Sequence, residues 1–73
     1  MIIFDSIKFL NLDQELQAKF TEITYKFFYP KKPFLRYHKV IKTLDKLSET
    51  VNLSINLSKM KVRRNNKLIY FVT

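Results

Sequence analysis

The chain has 73 residues with no glycine, no cysteine and one histidine, and its 14 Lys and Arg outnumber its 6 Asp and Glu. Without glycine it cannot form a P-loop, a G-x-G-x-x-G dinucleotide turn or a G-x-S-x-G nucleophile elbow, and without cysteine it has neither disulfides nor thiol chemistry. A hydrophobic content of 47% predicts one small folded domain over residues 1–73, with no bound metal or cofactor.

The first ten residues are rich in isoleucine and phenylalanine, which predicts a β-strand over residues 1–10. This start lacks the basic region of a secretory signal, and no apolar run approaches the ~18 residues that a membrane span needs. We therefore expect an intracellular protein that does not bind a membrane. The N-x-S triplets at Asn52 and Asn56 are then chance matches to a glycosylation signal.

A first helix is predicted to begin at Asn11, because asparagine is a good N-cap and Gln14 stands in the capping-box position. Pro30 and Pro33 enclose a Lys31-Lys32 turn that ends this helix. Apolar residues recur at helical spacing along it and predict its buried face: Leu12, Leu16, Phe20, Ile23 and Phe27.

A second helix is predicted to open at Pro33, with an apolar face of Tyr37, Val40, Ile41, Leu44, Leu47 and Val51. The opposite face is basic and consists of Arg36, Lys39, Lys42 and Lys46. The two helices should pack as an antiparallel αα-hairpin in which Phe20 faces Leu44, with Phe27 and Tyr37 also in the core.

From Val51 onwards apolar residues alternate with Asn52, Ser54 and Asn56, which predicts a strand that continues past a bulge near residues 58–59. Arg63, Arg64, Asn65 and Asn66 are predicted to form a turn before a final strand, Leu68–Val72. The predicted fold is a small α+β domain of order β-α-α-β-β. Its αα-hairpin packs on a short antiparallel sheet that ends in a β-hairpin.

Basic residues are segregated along the chain. Residues 1–22 carry two lysines and four acids, whereas residues 23–44 carry six cations and residues 50–73 five, both without any acid. Unpaired cations at this density favour an anionic partner, and the predicted function is nucleic-acid binding through phosphates. The predicted contact residues are Lys31, Lys32, Arg36, Lys39, Lys42, Lys46, Lys59, Lys61, Arg63, Arg64 and Lys67, with Tyr29 as the exposed aromatic residue.

Several alternatives remain open at this stage. RNA, bound as by a ribosome-associated component, is favoured over DNA. An ordinary solvated helix face explains the lysines of the second helix equally well, since the abundance of Lys, Asn, Ile and Phe indicates an AT-rich genome, such as that of a low-GC bacterium, phage or virus. An acidic protein surface is another possible partner, as for a small viral inhibitor.

Two further hypotheses depend on local patterns. Residues 43–61 loosely match a helix-turn-helix, with Ser48 at its small position and Ser54 as a cap, and this implies a winged DNA-binding regulator.

The order of elements, with a basic and then apolar end from Lys61 to Phe71, resembles small toxin ribonucleases of the RelE/ParE kind, but with one strand fewer. His38 is the only candidate acid–base residue, and we interpret it as an exposed surface histidine. No catalytic residue is assigned.

Overall fold

The chain begins with a short strand and a short helix, where the sequence predicts one strand over residues 1–10. In the computed structural model, which describes all 73 residues, β1 spans Ile2–Asp5 and α1 spans Ser6–Leu10. The Asp5 carboxylate accepts a hydrogen bond of 3.0 Å from the backbone N–H of Lys8 and so caps the helix. The strand prediction is wrong for the second half of this segment, because the local cap outweighs the strand propensity of its apolar residues.

Two longer helices follow, α2 (Gln14–Phe28) and α3 (Tyr37–Glu49), and they form the predicted αα-hairpin. Both begin later than the sequence predicts. Asn11 ends α1 as its C-cap, so the N-cap of α2 is Asp13. Similarly, residues 33–36 lie in the loop, and α3 starts directly after its cap at Arg36.

The buried face of α2 differs from the predicted one. Its buried residues are Gln17, Ala18, Thr21, Thr24 and Tyr25, while the predicted core residues Leu16, Phe20, Ile23 and Phe27 are exposed. Thr21 and Gln17 can be buried because nearby backbone carbonyls accept their side-chain hydrogen bonds. The Thr21 hydroxyl donates to the Gln17 carbonyl at 2.8 Å, and the Gln17 side-chain amide donates to the Leu12 carbonyl at 2.9 Å.

The predicted contact between Phe20 and Leu44 is therefore wrong. Leu44 is 1% exposed in the core, but Phe20 is 39% exposed and lies beside Phe4 of β1, with ring centroids 5.9 Å apart. Phe27 and Tyr37 are also exposed instead of buried. Of the other core residues predicted for the second helix, Val40, Leu44 and Leu47 are buried and Ile41 is half-buried. The prediction is wrong for Val51, which is 48% exposed and lies beyond the end of α3.

Three strands complete the sheet: β2 (Leu53–Leu57), β3 (Met60–Arg64) and β4 (Leu68–Val72). The sheet is antiparallel with the order β1-β4-β3-β2, so β1 and β2 are its edges. The predicted α+β class is confirmed, with one more strand and one more short helix than the sequence indicates. Residues 54–63 form no helix, so the helix-turn-helix interpretation of this segment is wrong.

The additional strand arises from a tight turn where the sequence predicts a bulge. Leu57 pairs with Met60, which leaves Ser58 and Lys59 as a two-residue hairpin loop. Ser58 has φ of 59°, in the left-handed region that normally favours glycine. Its hydroxyl oxygen accepts a 3.2 Å hydrogen bond from the Tyr25 hydroxyl, which ties the turn to α2.

Ser58 supplies a test of this turn. Replacing Ser58 with glycine is expected to stabilise the domain relative to Ser58→Ala by roughly 1 kcal/mol, because alanine retains the Cβ that opposes positive φ. Both variants lose the hydroxyl, so their difference isolates the backbone. Thermal melts followed by circular dichroism provide the measurement, and equal melting temperatures for the two variants would contradict the turn geometry.

The core lies between the helices and one face of the sheet. Fully buried sheet residues are Met60, Val62, Ile69 and Phe71, and they meet Phe9, Val40, Leu44 and Leu47 from the helices. Because side chains alternate along a strand, the intervening residues of each strand point to the opposite face. No helix covers that face, and we call it the open sheet face.

Candidate nucleic-acid interface

The open sheet face presents two cations on the inner strand β3. Lys61 and Arg63 are exposed because they alternate with the buried Met60 and Val62. Arg63 lies between Ser54 of β2 and Tyr70 of β4, and Lys61 lies between Asn56 and Val72. This face therefore combines positive charge with hydrogen-bonding groups and one aromatic side chain.

The basic residues of α3 lie close to the same part of the sheet. Lys39, Lys42 and Lys46 are exposed on α3 and line a surface depression together with Asn56 and Ser58 of the β2 hairpin. Strand β2 lines this depression and is a sheet edge, and β3 is its neighbour in the sheet at the usual strand spacing of about 5 Å. We define the basic surface as the five cations that flank β2, three on α3 at the helix side of the sheet and two on β3 at its open face: Lys39, Lys42, Lys46, Lys61 and Arg63.

The acids of α3 do not lie within that depression. Asp45 accepts a 2.9 Å hydrogen bond from the side-chain amide of Gln14, so its carboxylate is directed toward α2. Glu49 is the last residue of α3. No carboxylate lines the depression formed by the three lysines, so their charges act together on whatever anion approaches.

Arg64 differs from its neighbour Arg63, although the sequence predicts a phosphate contact for both. Its guanidinium turns toward the end of α3, where Nη1 donates to the Leu47 carbonyl and, at 3.3 Å, to the Thr50 carbonyl. These carbonyls belong to the last turn of the helix, which has no further backbone donors. Arg64 thus caps α3 with a guanidinium on the helix side of the sheet, although part of its half-buried side chain borders the depression beside Asn65 and Tyr70.

The cations of residues 59–67 are not gathered at one hairpin tip. Lys59 lies in the turn that precedes β3, whereas Lys67 lies in the turn at the other end of that strand. The Lys67 carbonyl accepts a 2.9 Å hydrogen bond from the Ser6 backbone N–H, which places it beside α1. Asn65 lies in the turn as predicted, but neither it nor Asn66 has the positive φ for which asparagine was expected there. Its side-chain oxygen instead accepts from the N–H groups of Lys67 and Leu68.

The predicted contacts near the end of α2 lie at the periphery of the basic surface. Tyr29 is half-buried, its ring lies 5.1 Å from that of Tyr25, and its hydroxyl donates to the Lys59 carbonyl at 3.2 Å. Tyr29 therefore anchors a turn, and its ring is only partly exposed. The exposed Lys31, Lys32 and Arg36 lie in the loop between α2 and α3.

Sequence reasoning missed Tyr70 as a candidate contact. Its ring is half-exposed on β4 and lines an open depression on the open sheet face with Ser54, Arg63 and Val72. The hydroxyl accepts a 3.2 Å hydrogen bond from the Asn65 side-chain amide. The signal was present in the sequence, because Tyr70 stands between Ile69 and Phe71, and a strand with those two residues buried directs its tyrosine outward.

Other classes of site have little support in the structure. No cluster of His, Asp and Glu side chains has the arrangement of a metal site, and His38 is exposed on α3. None of the helices combines the length and apolarity required to cross a membrane. Comparisons with protein-family models, with curated proteins and with solved structures find no match to this chain.

Proposed function

We propose that this chain is an RNA-binding protein that holds a single strand mainly through phosphate contacts on the basic surface. The observation that carries this proposal is the convergence around β2 of two basic segments that are distant in sequence, Lys39 to Lys46 on α3 and Lys61 to Arg63 on β3. If the lysines of α3 were only an ordinary solvated helix face, there would be no reason for further cations on the neighbouring strand β3.

Phosphate binding follows from the charges on this surface. Each phosphate that a lysine or arginine neutralises releases condensed counterions, which makes affinity high at low salt and steeply dependent on salt concentration. Asn56 and Ser54 lie between the two groups of cations and offer neutral hydrogen bonds to phosphate or ribose oxygens. Such contacts orient a strand without reading its sequence.

Single-stranded RNA is the preferred ligand because of Tyr70. Its ring lies next to Arg63 on an uncovered antiparallel sheet, where an unpaired base can stack on it. A base within a duplex is already stacked on its neighbours and cannot use this ring in the same way. We therefore expect tighter binding to single-stranded RNA than to double-stranded DNA of equal length.

A double variant tests the proposed surface. Lys42→Gln combined with Lys61→Gln removes one charge on each side of β2, and we expect RNA affinity to fall about tenfold or more, with a salt slope lower by one to two units. The measurement is fluorescence anisotropy with labelled single-stranded RNA over a series of salt concentrations, with double-stranded DNA as the second ligand.

The matched control is Lys8→Gln combined with Lys67→Gln. It lowers the net charge equally but acts near α1, so we expect it to leave the salt slope close to that of the unmodified chain. Equal losses in the two double variants would show that binding depends only on net charge and would contradict a defined surface. Absence of binding to either polymer at low salt would overturn the proposal in favour of an acidic protein partner.

A further inference from the structure

The open sheet face is divided into an apolar half and a polar half. The outward residues of β1 and β4 are mostly apolar or aromatic: Ile3, Leu68, Tyr70 and Val72. The outward residues of β3 and β2 are cations or neutral hydrogen-bonding residues: Lys61, Arg63, Ser54 and Asn56. Asp5, the remaining outward residue of β1, serves as the N-cap of α1. The boundary between the halves therefore lies between β3 and β4 and follows the direction of the strands.

The strand register aligns the two halves. One row crosses the whole sheet in the order Ile3, Tyr70, Arg63 and Ser54. Directly paired side chains on one face have their Cβ atoms about 5 Å apart, so Tyr70 and Arg63 can contact the same small group. Lys61 belongs to the next row, two residues or about 7 Å further along β3.

The two halves meet in one depression of the open sheet face. It has a volume of about 680 Å³, is lined by Tyr70 and Val72 from the apolar half and by Arg63 and Ser54 from the polar half, and contains no acidic residue. This volume is within the range of sites that take small organic ligands, roughly 300–1,000 Å³. The Asn65 amide donates a 3.2 Å hydrogen bond to the Tyr70 hydroxyl, which restricts the ring before any ligand arrives.

We propose, on the basis of the RNA binding proposed above, that this face holds the bases of the strand on its apolar half and the phosphates on its polar half. One base stacks on Tyr70, and successive phosphates contact Arg63 and Lys61. The RNA strand then runs along β3 and β4, because only this direction keeps every base on one side of the boundary and every phosphate on the other.

The pairing of Tyr70 with Arg63 favours a nucleotide over an apolar protein segment. An apolar segment that covered Tyr70 would also cover the guanidinium of Arg63 in the same row and offer it no anion. A nucleotide provides both a planar ring and a phosphate within one residue. The lysines of α3 lie on the other side of the β2 edge and are free to contact phosphates further along the strand.

RNA without bases tests whether the bases contribute to binding. The unmodified chain should bind a short labelled single-stranded RNA about tenfold or more tightly than an abasic ribose-phosphate strand of the same length, because stacking is lost in the abasic strand. Fluorescence anisotropy measures both affinities over a series of salt concentrations. The two ligands carry the same number of phosphates, so their salt slopes should agree.

Variants of Tyr70 test where the base lies. Tyr70→Ala should lower the affinity for intact RNA to that for abasic RNA without changing the salt slope, whereas Tyr70→Phe keeps the ring and should retain the difference. Lys61→Gln should lower the salt slope by about one and preserve the difference. The matched control is Tyr37→Ala, because Tyr37 is 59% exposed at the start of α3, beside Asp13 and Glu22 and away from the sheet.

A charge placed on the apolar half tests the direction of the strand. Ile3→Glu adds a carboxylate to the row of Tyr70 and should weaken binding of intact RNA about tenfold, because it repels the strand. Ile7→Glu is the matched control. It changes the net charge equally at a residue that is 69% exposed on α1, outside the sheet, and should have a much smaller effect.

The outcomes separate this arrangement from RNA binding itself. Circular dichroism melts verify that each variant is folded. Equal affinities of the unmodified chain for intact and abasic RNA overturn the arrangement but leave phosphate binding in place. A loss in Tyr70→Phe as large as that in Tyr70→Ala, or equal losses in Ile3→Glu and Ile7→Glu, also overturns it. Absence of salt-dependent binding to either ligand overturns RNA binding as well.

Discussion

Phe71→Ala is expected to remove a large part of the free energy of unfolding of the domain. Phe71 is fully buried on the inner strand β4, and its ring meets those of Phe4 and Phe9 with centroid distances of 5.6 and 6.1 Å. Removing a buried phenylalanine ring costs about 3–5 kcal/mol, whereas a domain of this length has a total stability of roughly 4–11 kcal/mol. Urea denaturation followed by circular dichroism measures the loss.

Phe34→Ala is the matched control for this prediction. It removes the same ring from a loop position that is 71% exposed, where the ring contacts the ammonium group of Lys26 at 4.5 Å from its centroid. We expect a loss of no more than about 1 kcal/mol, the strength of an exposed cation–π contact. If Phe71→Ala and Phe34→Ala unfolded at the same urea concentration, the core assigned to β4 would be incorrect.

Arg63 and Arg64 are expected to show opposite effects although they are adjacent in sequence. Arg64→Ala should lower the free energy of unfolding by about 1.5–3 kcal/mol, because it removes a charged donor from the Leu47 and Thr50 carbonyls at the end of α3. Arg63→Ala should leave stability nearly unchanged and weaken RNA binding, because its side chain is exposed on the open sheet face.

Two comparisons distinguish capping from binding. Arg64→Lys keeps the charge but lacks the planar guanidinium, so we expect it to recover only part of the lost stability while RNA affinity remains that of the unmodified chain. Stability is measured by urea denaturation and affinity by anisotropy on samples shown to be folded. A larger loss of RNA affinity for Arg64→Ala than for Arg63→Ala would contradict the assigned orientations of the two arginines.

Much of the fold follows from local patterns in the sequence. The alternation in residues 51–57 and the apolar Leu68–Val72 segment predicted strands, and strands are present there. The heptad-like spacing of Val40, Leu44 and Leu47 predicted the buried face of α3. The short helix α1 was missed although its signal was present, since Asp5 directly precedes it as the N-cap residue.

The site was less predictable than the fold. The sequence shows that the cations are separated from the acids along the chain. It does not show which cations lie near one another in the folded protein. Lys39 and Lys61 flank the same strand only because β2 lies at a sheet edge next to α3. Arg63 and Arg64 point to opposite faces because the strand extends through both, where the sequence predicted a turn.

The sequence by itself determined the class of fold, the positions of the main helices and strands, and the separation of basic from acidic segments. These properties depend on residues that are close in sequence, so they can be predicted from short stretches of the chain. Only the tertiary structure decided which face of α2 is buried. Thr21 donates to a carbonyl within α2, and Gln17 donates to the Leu12 carbonyl just before the helix, so both can enter the core. The apolar residues of the opposite face remain outside: Leu16, Phe20, Ile23 and Phe27. A hydrophobic period identifies a face of a helix, but the surface that this face contacts depends on the packing of the whole chain.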